Sequence, residues 1–320
     1  MVADDLGSLH GAWGKMVPKT GTMRMSRREM LLASTSAAAG SPTGVPLVPF
    51  GPHKISRLIV GGNPISGNSH VSAALDNEMR DYFTAARVKQ LLAGCERAGI
   101  NTWQSRGDRF ILRMLNEHRL EGGRLQWIAQ TASELADIPK NIHGLAEAGA
   151  IGIYHHGSST DGFWKAGKMG EVRERLKAIR DTGVRVGLGT HIPEVIDYAE
   201  EKGWDLDFYM ACVYNLGRTR QECERLNGGP LKGEYFRHED RIPMLERVKK
   251  TARTCLIFKV YGASRNSATP ERKREALELV FRYAKPHDAI VVGMFPKHGD
   301  EVRENCDLLR SLLAQSASSK

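Results

Sequence analysis

The chain has 320 residues, room for one large domain or two small ones, and its 41% hydrophobic and 7% aromatic content suits a globular chain with a buried core. Its net charge of +9 is spread over helix-patterned segments in which acids are mixed with bases. No basic run with interleaved aromatics occurs, so nucleic acid is not an expected partner.

The first 54 residues read as a leader and linker, disordered and outside the fold, carrying six Lys/Arg and three Asp/Glu. Arg27 and Arg28 precede a short apolar stretch, and Ala37–Ala39 offers a small-residue cleavage site. With Ser26, Met30 and Leu31, the segment resembles a twin-arginine (Tat) signal, which implies export through the Tat machinery to the periplasm. Met23 or Met25 is a candidate start, and the Pro- and Gly-rich residues 41–54 read as linker.

From residue 55 to the end, apolar strand-like runs alternate with amphipathic helical patterns. The runs are 57–61, 99–103, 125–129, 151–155, 184–189, 206–213, 254–260 and 289–292. Helical patterns cover 84–98, capped by Thr84, then 110–117, 139–148, 168–182, a stretch opened by Pro193, 241–251, 271–284 and 300–313. Eight strand-plus-helix units in this length predict an α/β fold, a (β/α)₈ TIM barrel, with an open doubly wound sheet as the rival. A polar insertion, 217–239, interrupts the pattern and is long for a barrel loop. Cys95, Cys212, Cys223, Cys255 and Cys306 are odd in number and include no CxxC pair, which argues against a zinc knuckle or a disulfide framework.

In a barrel the C-terminal strand ends converge on one mouth, where functional groups collect. Two stretches stand out, Ile151-Gly-Ile-Tyr-His-His-Gly157 and Val186-Gly-Leu-Gly-Thr-His191, each an apolar run ending in histidine. His155, His156 and His191 are candidate acids and bases. Lys259 ends an apolar strand, where burial would lower its pKa and ready it as a base or Schiff-base nucleophile; pairing with Asp108 or Asp161 is the structural alternative. Gln104, Asp108, Arg109, Gln130 and Arg265 complete a cationic mouth suited to a small anionic or polyhydroxylated substrate. Two histidines without an obvious third ligand make a metal site unexpected.

Four places resemble the aldo-keto reductase superfamily: 55–62, 98–103, 207–216 with its Tyr214-Asn215 pair, and 291–294 together with Glu304-Asn305. The resemblance implies NADPH, with Tyr214 under the nicotinamide and Glu304 and Asn305 at the adenine. It covers residues 55–312 but departs at the catalytic tetrad. Gln104 stands where the family has Asp, the proton-donating Tyr position falls near Arg109, and Gln130 replaces Lys. Only the fourth-strand histidine, His155 or His156, is kept, and His191 replaces a nicotinamide-binding Ser. The expectation is therefore a retained frame with altered chemistry, namely non-redox acid–base work on a hydroxy-carbonyl or sugar-like substrate by His156, His191 and Lys259. The alternatives are a divergent NAD(P)H-dependent oxidoreductase, in which Lys259, His191 or Arg109 would donate the proton, and a non-catalytic ligand-binding barrel.

Overall fold

The structure is a computed structural model and describes residues 44–318. The twin-arginine-like leader lies outside the described residues. Ten strands are present among the described residues: β1 (Leu47–Phe50), β2 (His53–Ser56), β3 (Leu58–Gly61), β4 (Thr102–Arg106), β5 (Gln126–Gln130), β6 (Gly152–His155), β7 (Arg185–Thr190), β8 (Phe208–Cys212), β9 (Thr254–Phe258) and β10 (Ala289–Gly293). Strands β3 to β10 form a closed parallel barrel in sequence order, sealed by pairing of β10 with β3. This is the expected (β/α)₈ barrel.

Alternation along the strands sorts the side chains into two cores. Ile59, Ile128, Tyr154, Phe208, Met210, Leu256 and Val291 point into the barrel. Leu58, Val60, Trp103, Trp127, Ile153, Val186 and Ile257 point outward against the helices. The interior is tight enough that a Cβ on Gly187 would lie 2.3 Å from the Phe208 ring, so glycine makes room for the aromatic there. The helices begin where their caps predict. The Thr84 hydroxyl accepts from the backbone N–H of Arg87, and proline opens the helices Pro193–Glu201 and Pro270–Phe281.

Residues 47–56, read from sequence mostly as linker, form a β-hairpin that closes the N-terminal end of the barrel. The strands pair antiparallel from Leu47↔Ser56 to Phe50↔His53, with Gly51 in the turn at φ +61°. Val48, Phe50 and Ile55 are buried in the inner core. The Asn101 side chain donates to the Lys54 carbonyl and accepts from the Ser56 N–H, while Arg185 stacks over the Phe50 ring at 4.9 Å. Proline and glycine suggested a linker, but the alternation of buried Val48 and Phe50 with exposed Leu47 and Pro49 is that of a strand covering a core.

The second barrel strand is Thr102–Arg106, three residues later than read. Gln104 and Arg106 are polar because they face the mouth, while Trp103 and Ser105 face the helix layer. Helices at Ala73–Tyr82, Gly157–Lys165 and Arg220–Asn227 were not anticipated. The last lies in the insertion and starts with a reciprocal capping box between Thr219 and Glu222.

Candidate functional site at the barrel mouth

All eight barrel strands contribute to one cavity of about 530 Å³ at their C-terminal ends. Gly61, Gln104, Gln130, Tyr154, Gly189, Met210, Phe258 and Val292 line it from the strands, and His156, His191 and Lys259 from the loops that follow.

His191 is held by a carboxylate. Its Nδ1 lies 2.7 Å from Asp161 Oδ2, and its backbone N–H donates to the same carboxylate at 3.3 Å. Asp161, itself buried, also accepts from the Thr190 hydroxyl at 2.6 Å. These donors assign the Nδ1–H tautomer to His191, which leaves Nε2 as the acceptor nitrogen. The ring packs edge-on against Phe258 at 5.6 Å, and Gly157 makes room for it, since a Cβ there would come within 3.2 Å of the imidazole. Asp161 is the fifth residue of the helix Gly157–Lys165, a Gly- and Ser-rich segment whose burial, not its propensity, makes it helical. Asp161 was considered as a partner for Lys259; the structure gives it to His191.

The two adjacent histidines have different surroundings. His156 lines the cavity, with Nδ1 at 2.8 Å from the Ser133 hydroxyl. Burial, then the nearby His191 and Arg106, pushes its pKa down to about 4, so the ring is neutral at pH 7. His155 is fully enclosed in the wall and does not line the cavity. Its Nδ1 lies 2.7 Å from the Thr160 hydroxyl, which donates to the His156 carbonyl, and its Nε2 accepts from Arg175 at 3.2 Å. Burial followed by Arg175 lowers its pKa to about 3, and both ring nitrogens are occupied. His155, expected as a candidate catalyst, does not reach the cavity, because along β6 Tyr154 faces into the barrel and its neighbour His155 faces outward.

The floor is a three-residue polar chain. Gln104 Nε2 donates to the Tyr154 hydroxyl at 2.7 Å, and that hydroxyl donates to Gln130 Oε1 at 2.9 Å. Burial raises the Tyr154 pKa, so the phenol stays protonated. Gln104 and Gln130 are thus at the site as expected, and Tyr154, which reads in sequence as a core aromatic, is the centre that links them.

Lys259 follows β9 in the left-handed region, at φ +59°, unusual for a non-glycine residue. Its Nζ is screened from solvent and has no hydrogen-bond partner among the described residues. Burial lowers its pKa, with Glu234 acting in the opposite sense. Neither Asp108 nor Asp161 pairs with it. The ammonium lies 5.5 Å from the Phe236 ring, and the Arg265 guanidinium stacks on Phe236 at 4.0 Å. Phe236 and Glu234 belong to the insertion 217–239. Glu234 pairs with His70 at 2.9 Å, and Arg265 donates to the His70 carbonyl, so the insertion is fastened beside the mouth by two other loops. Its far end is tied down by Arg218, which grips Asp240.

The remaining expected residues, Asn305 excepted, do not line the cavity. Asp108 is the N-cap of the helix Arg109–Leu120, accepting from the Ile111 N–H at 2.9 Å. Arg109 starts that helix, exposed and outside the cavity lining, because the strand shift puts Arg106 at the mouth in its stead. Arg265 is turned to Phe236 and His70 and lines a different cleft. Tyr214 is buried away from the cavity, accepting from Asn266 at 2.6 Å and packing on Phe236 at 5.1 Å. Glu304 is exposed and paired with Lys273. Of the three expected cofactor contacts only Asn305 lines the cavity, accepting from the Tyr261 hydroxyl at 2.7 Å. Among the described residues, no group of three or more His, Cys, Asp or Glu side chains is placed to hold a metal ion.

The chain matches no protein-family model and no curated protein sequence. Among solved structures it is similar to a truncated form of 3-deoxy-D-arabino-heptulosonate 7-phosphate synthase from Thermotoga maritima, with a TM-score of 0.51 and 14% identity over 87% of this chain and 94% of that one. A dihydropteroate synthase from Xanthomonas albilineans gives a TM-score of 0.47 at 14% identity, covering 86% of this chain and 98% of that one. QR15, an aldolase, gives 0.41 at 11% identity, covering 74% and 92%. At such identity the first likeness speaks to the barrel fold alone, and none of the three is an aldo-keto reductase.

Proposed function

We propose that this barrel is an enzyme of non-redox acid–base chemistry, acting on a small hydroxy-carbonyl or sugar-like substrate. The observation that carries the reading is that His191, held by Asp161, lines the same cavity as Lys259, whose buried Nζ has no hydrogen-bond partner among the described residues. A buried carboxylate that fixes an imidazole tautomer makes its other nitrogen a defined base. A buried lysine without a partner is shifted toward the neutral amine that attacks carbonyls.

In this reading the Lys259 amine adds to the substrate carbonyl carbon, and loss of water gives a protonated imine. The positive nitrogen acidifies the adjacent C–H. His191 Nε2 takes that proton, the C–H electron pair becoming the enamine double bond. Return of a proton to that carbon re-forms the protonated imine, and its hydrolysis releases product with the carbon exchanged or inverted and restores the amine. Gln104 and Gln130, oriented by Tyr154, bind substrate hydroxyls. The test is solvent exchange: hydroxy-ketones incubated in D₂O are expected to take up deuterium at the carbon beside the carbonyl. Exchange by the wild type that is lost in His191→Ala supports the reading; absence of exchange across aldose and ketose panels contradicts it.

A second reading, an NAD(P)H-dependent reductase of the aldo-keto type, is favoured by Asn305 in the cavity. The other residues fit the cofactor poorly, since Tyr214 is committed to Asn266 and Phe236 and Glu304 to Lys273. Saturable quenching of protein fluorescence by micromolar NADPH would favour it over the non-redox reading. The leader motif Ser26-Arg27-Arg28 supports a further part of the proposal, export by the Tat route to the periplasm.

A further inference from the structure

A second cleft, also of about 530 Å³ and sharing no lining residue with the mouth cavity, lies between the segment 238–242, the loop after β9 and the helix Pro270–Phe281. Four guanidinium groups line it, those of Arg241, Arg265, Arg272 and Arg282, together with the His238 imidazole. Glu275 is the one carboxylate in its lining.

Several arginines elsewhere on the described surface pair with acids. Arg106 pairs with Glu134, Arg180 with Asp205 and Asp207, Arg247 with Asp197, and Arg253 with Glu200. Among the described residues, none of the four cleft arginines has a carboxylate within ion-pair distance. The acids beside the cleft in sequence are committed elsewhere, Asp240 to Arg218 and Glu239 to Arg237. Arg241 and Arg265 use part of their donors on backbone carbonyls, which orients them without neutralising them. Arg272 stands in the first turn of its helix, where a cation opposes the helix dipole. Gathering four like charges in one concavity is unfavourable unless an anion joins them.

We propose that this cleft binds a phosphorylated small molecule carrying two or more negative charges. Guanidinium forks match phosphate oxygens two at a time, and four of them converging on one cleft suit a di- or polyphosphate better than a single small anion. The inference is independent of the chemistry proposed at the mouth, since none of its residues is assigned to that reaction.

The full chain, titrated with inorganic pyrophosphate in a calorimeter at about 0.15 M salt, is expected to bind one equivalent saturably. Arg272→Gln and Arg282→Gln are each expected to weaken binding by about tenfold, the loss of a charge-assisted contact. Arg109→Gln, an equal change of net charge at an exposed residue outside the cleft, is expected to leave it unchanged. Both cleft substitutions are at exposed positions, and unchanged melting temperatures establish that the variants fold; Arg241→Gln replaces either that does not. Three results overturn the proposal: no saturable binding, equal weakening by Arg109→Gln, or sulfate binding as tightly as pyrophosphate.

Discussion

Replacing Lys259 with methionine is expected to make the protein more stable while removing its proposed nucleophile. Nζ is enclosed without a hydrogen-bond partner among the described residues, and such a buried donor costs about 1–3 kcal/mol, more when charged. The ammonium recovers about 0.5–1 kcal/mol from the Phe236 face 5.5 Å away. Methionine keeps the length and packing of the chain without the charge, so the net gain is about 1–2 kcal/mol wherever the folded amine still carries its proton. For a chain of this size that is a rise in Tm of about 2–6 °C. The pH dependence follows from the lowered pKa. Below the folded value both states carry the charge and the penalty is present in full. As pH rises from there toward the ordinary 10.5, the folded state releases its proton first and the penalty fades. Melting curves of both proteins at pH 7 and at about pH 11 therefore test the argument, with the difference expected to shrink at the higher pH. A methionine variant less stable than wild type at pH 7 refutes it, because the amine would then have a structural partner. A gain that does not change with pH refutes it too, because burial of charge would not be its source.

Other expectations follow from the same geometry. Asp161→Asn removes the carboxylate that holds His191 and leaves its donors facing an amide, so stability is expected to fall by about 3 kcal/mol in denaturant titration, with deuterium exchange slowed by about a hundredfold or more. Stability is expected to fall as pH drops from 6.5 to about 4, the interval over which unfolded His156 takes a proton and folded His156 does not. That gap corresponds to on the order of 3 kcal/mol as an upper figure, and because His155, lowered to about 3, acts over the same interval, His156→Asn is expected to reduce the slope of this part of the profile without abolishing it. Phe50→Ala is expected to cost about 3–5 kcal/mol in chemical unfolding, because Phe50 is fully buried in the plug at the base of the barrel.

The sequence revealed the barrel because eight apolar runs alternate with amphipathic helices, a signal spread over the whole chain. Its mouth was legible where a strand ended in an unusual residue: His156, His191 and Lys259 all line the cavity. Local composition misled wherever tertiary packing overrode it. The hairpin 47–56 carries proline and glycine yet buries Phe50 and Ile55, and the helix Gly157–Lys165 is poor in helix formers yet supplies Asp161 and Thr160. Arg109 and Asp108 were misassigned because the polar residues of β4 were read as loop, whereas Gln104 and Arg106 are strand positions that face a wet cavity. The pairing of His191 with Asp161 spans thirty residues and has no local signature; the parallel pairing of β6 with β7 brings the end of β7 beside the helix after β6.

The central claim is that Lys259 is an amine that reacts with carbonyls inside this cavity. The most direct measurement is borohydride trapping: the protein is incubated with a small hydroxy-ketone such as dihydroxyacetone, reduced, digested and mapped by mass spectrometry. One secondary-amine adduct is expected, on Lys259, retained in His191→Ala and absent in Lys259→Met. Adducts scattered over exposed lysines with Lys259 unmodified would contradict it.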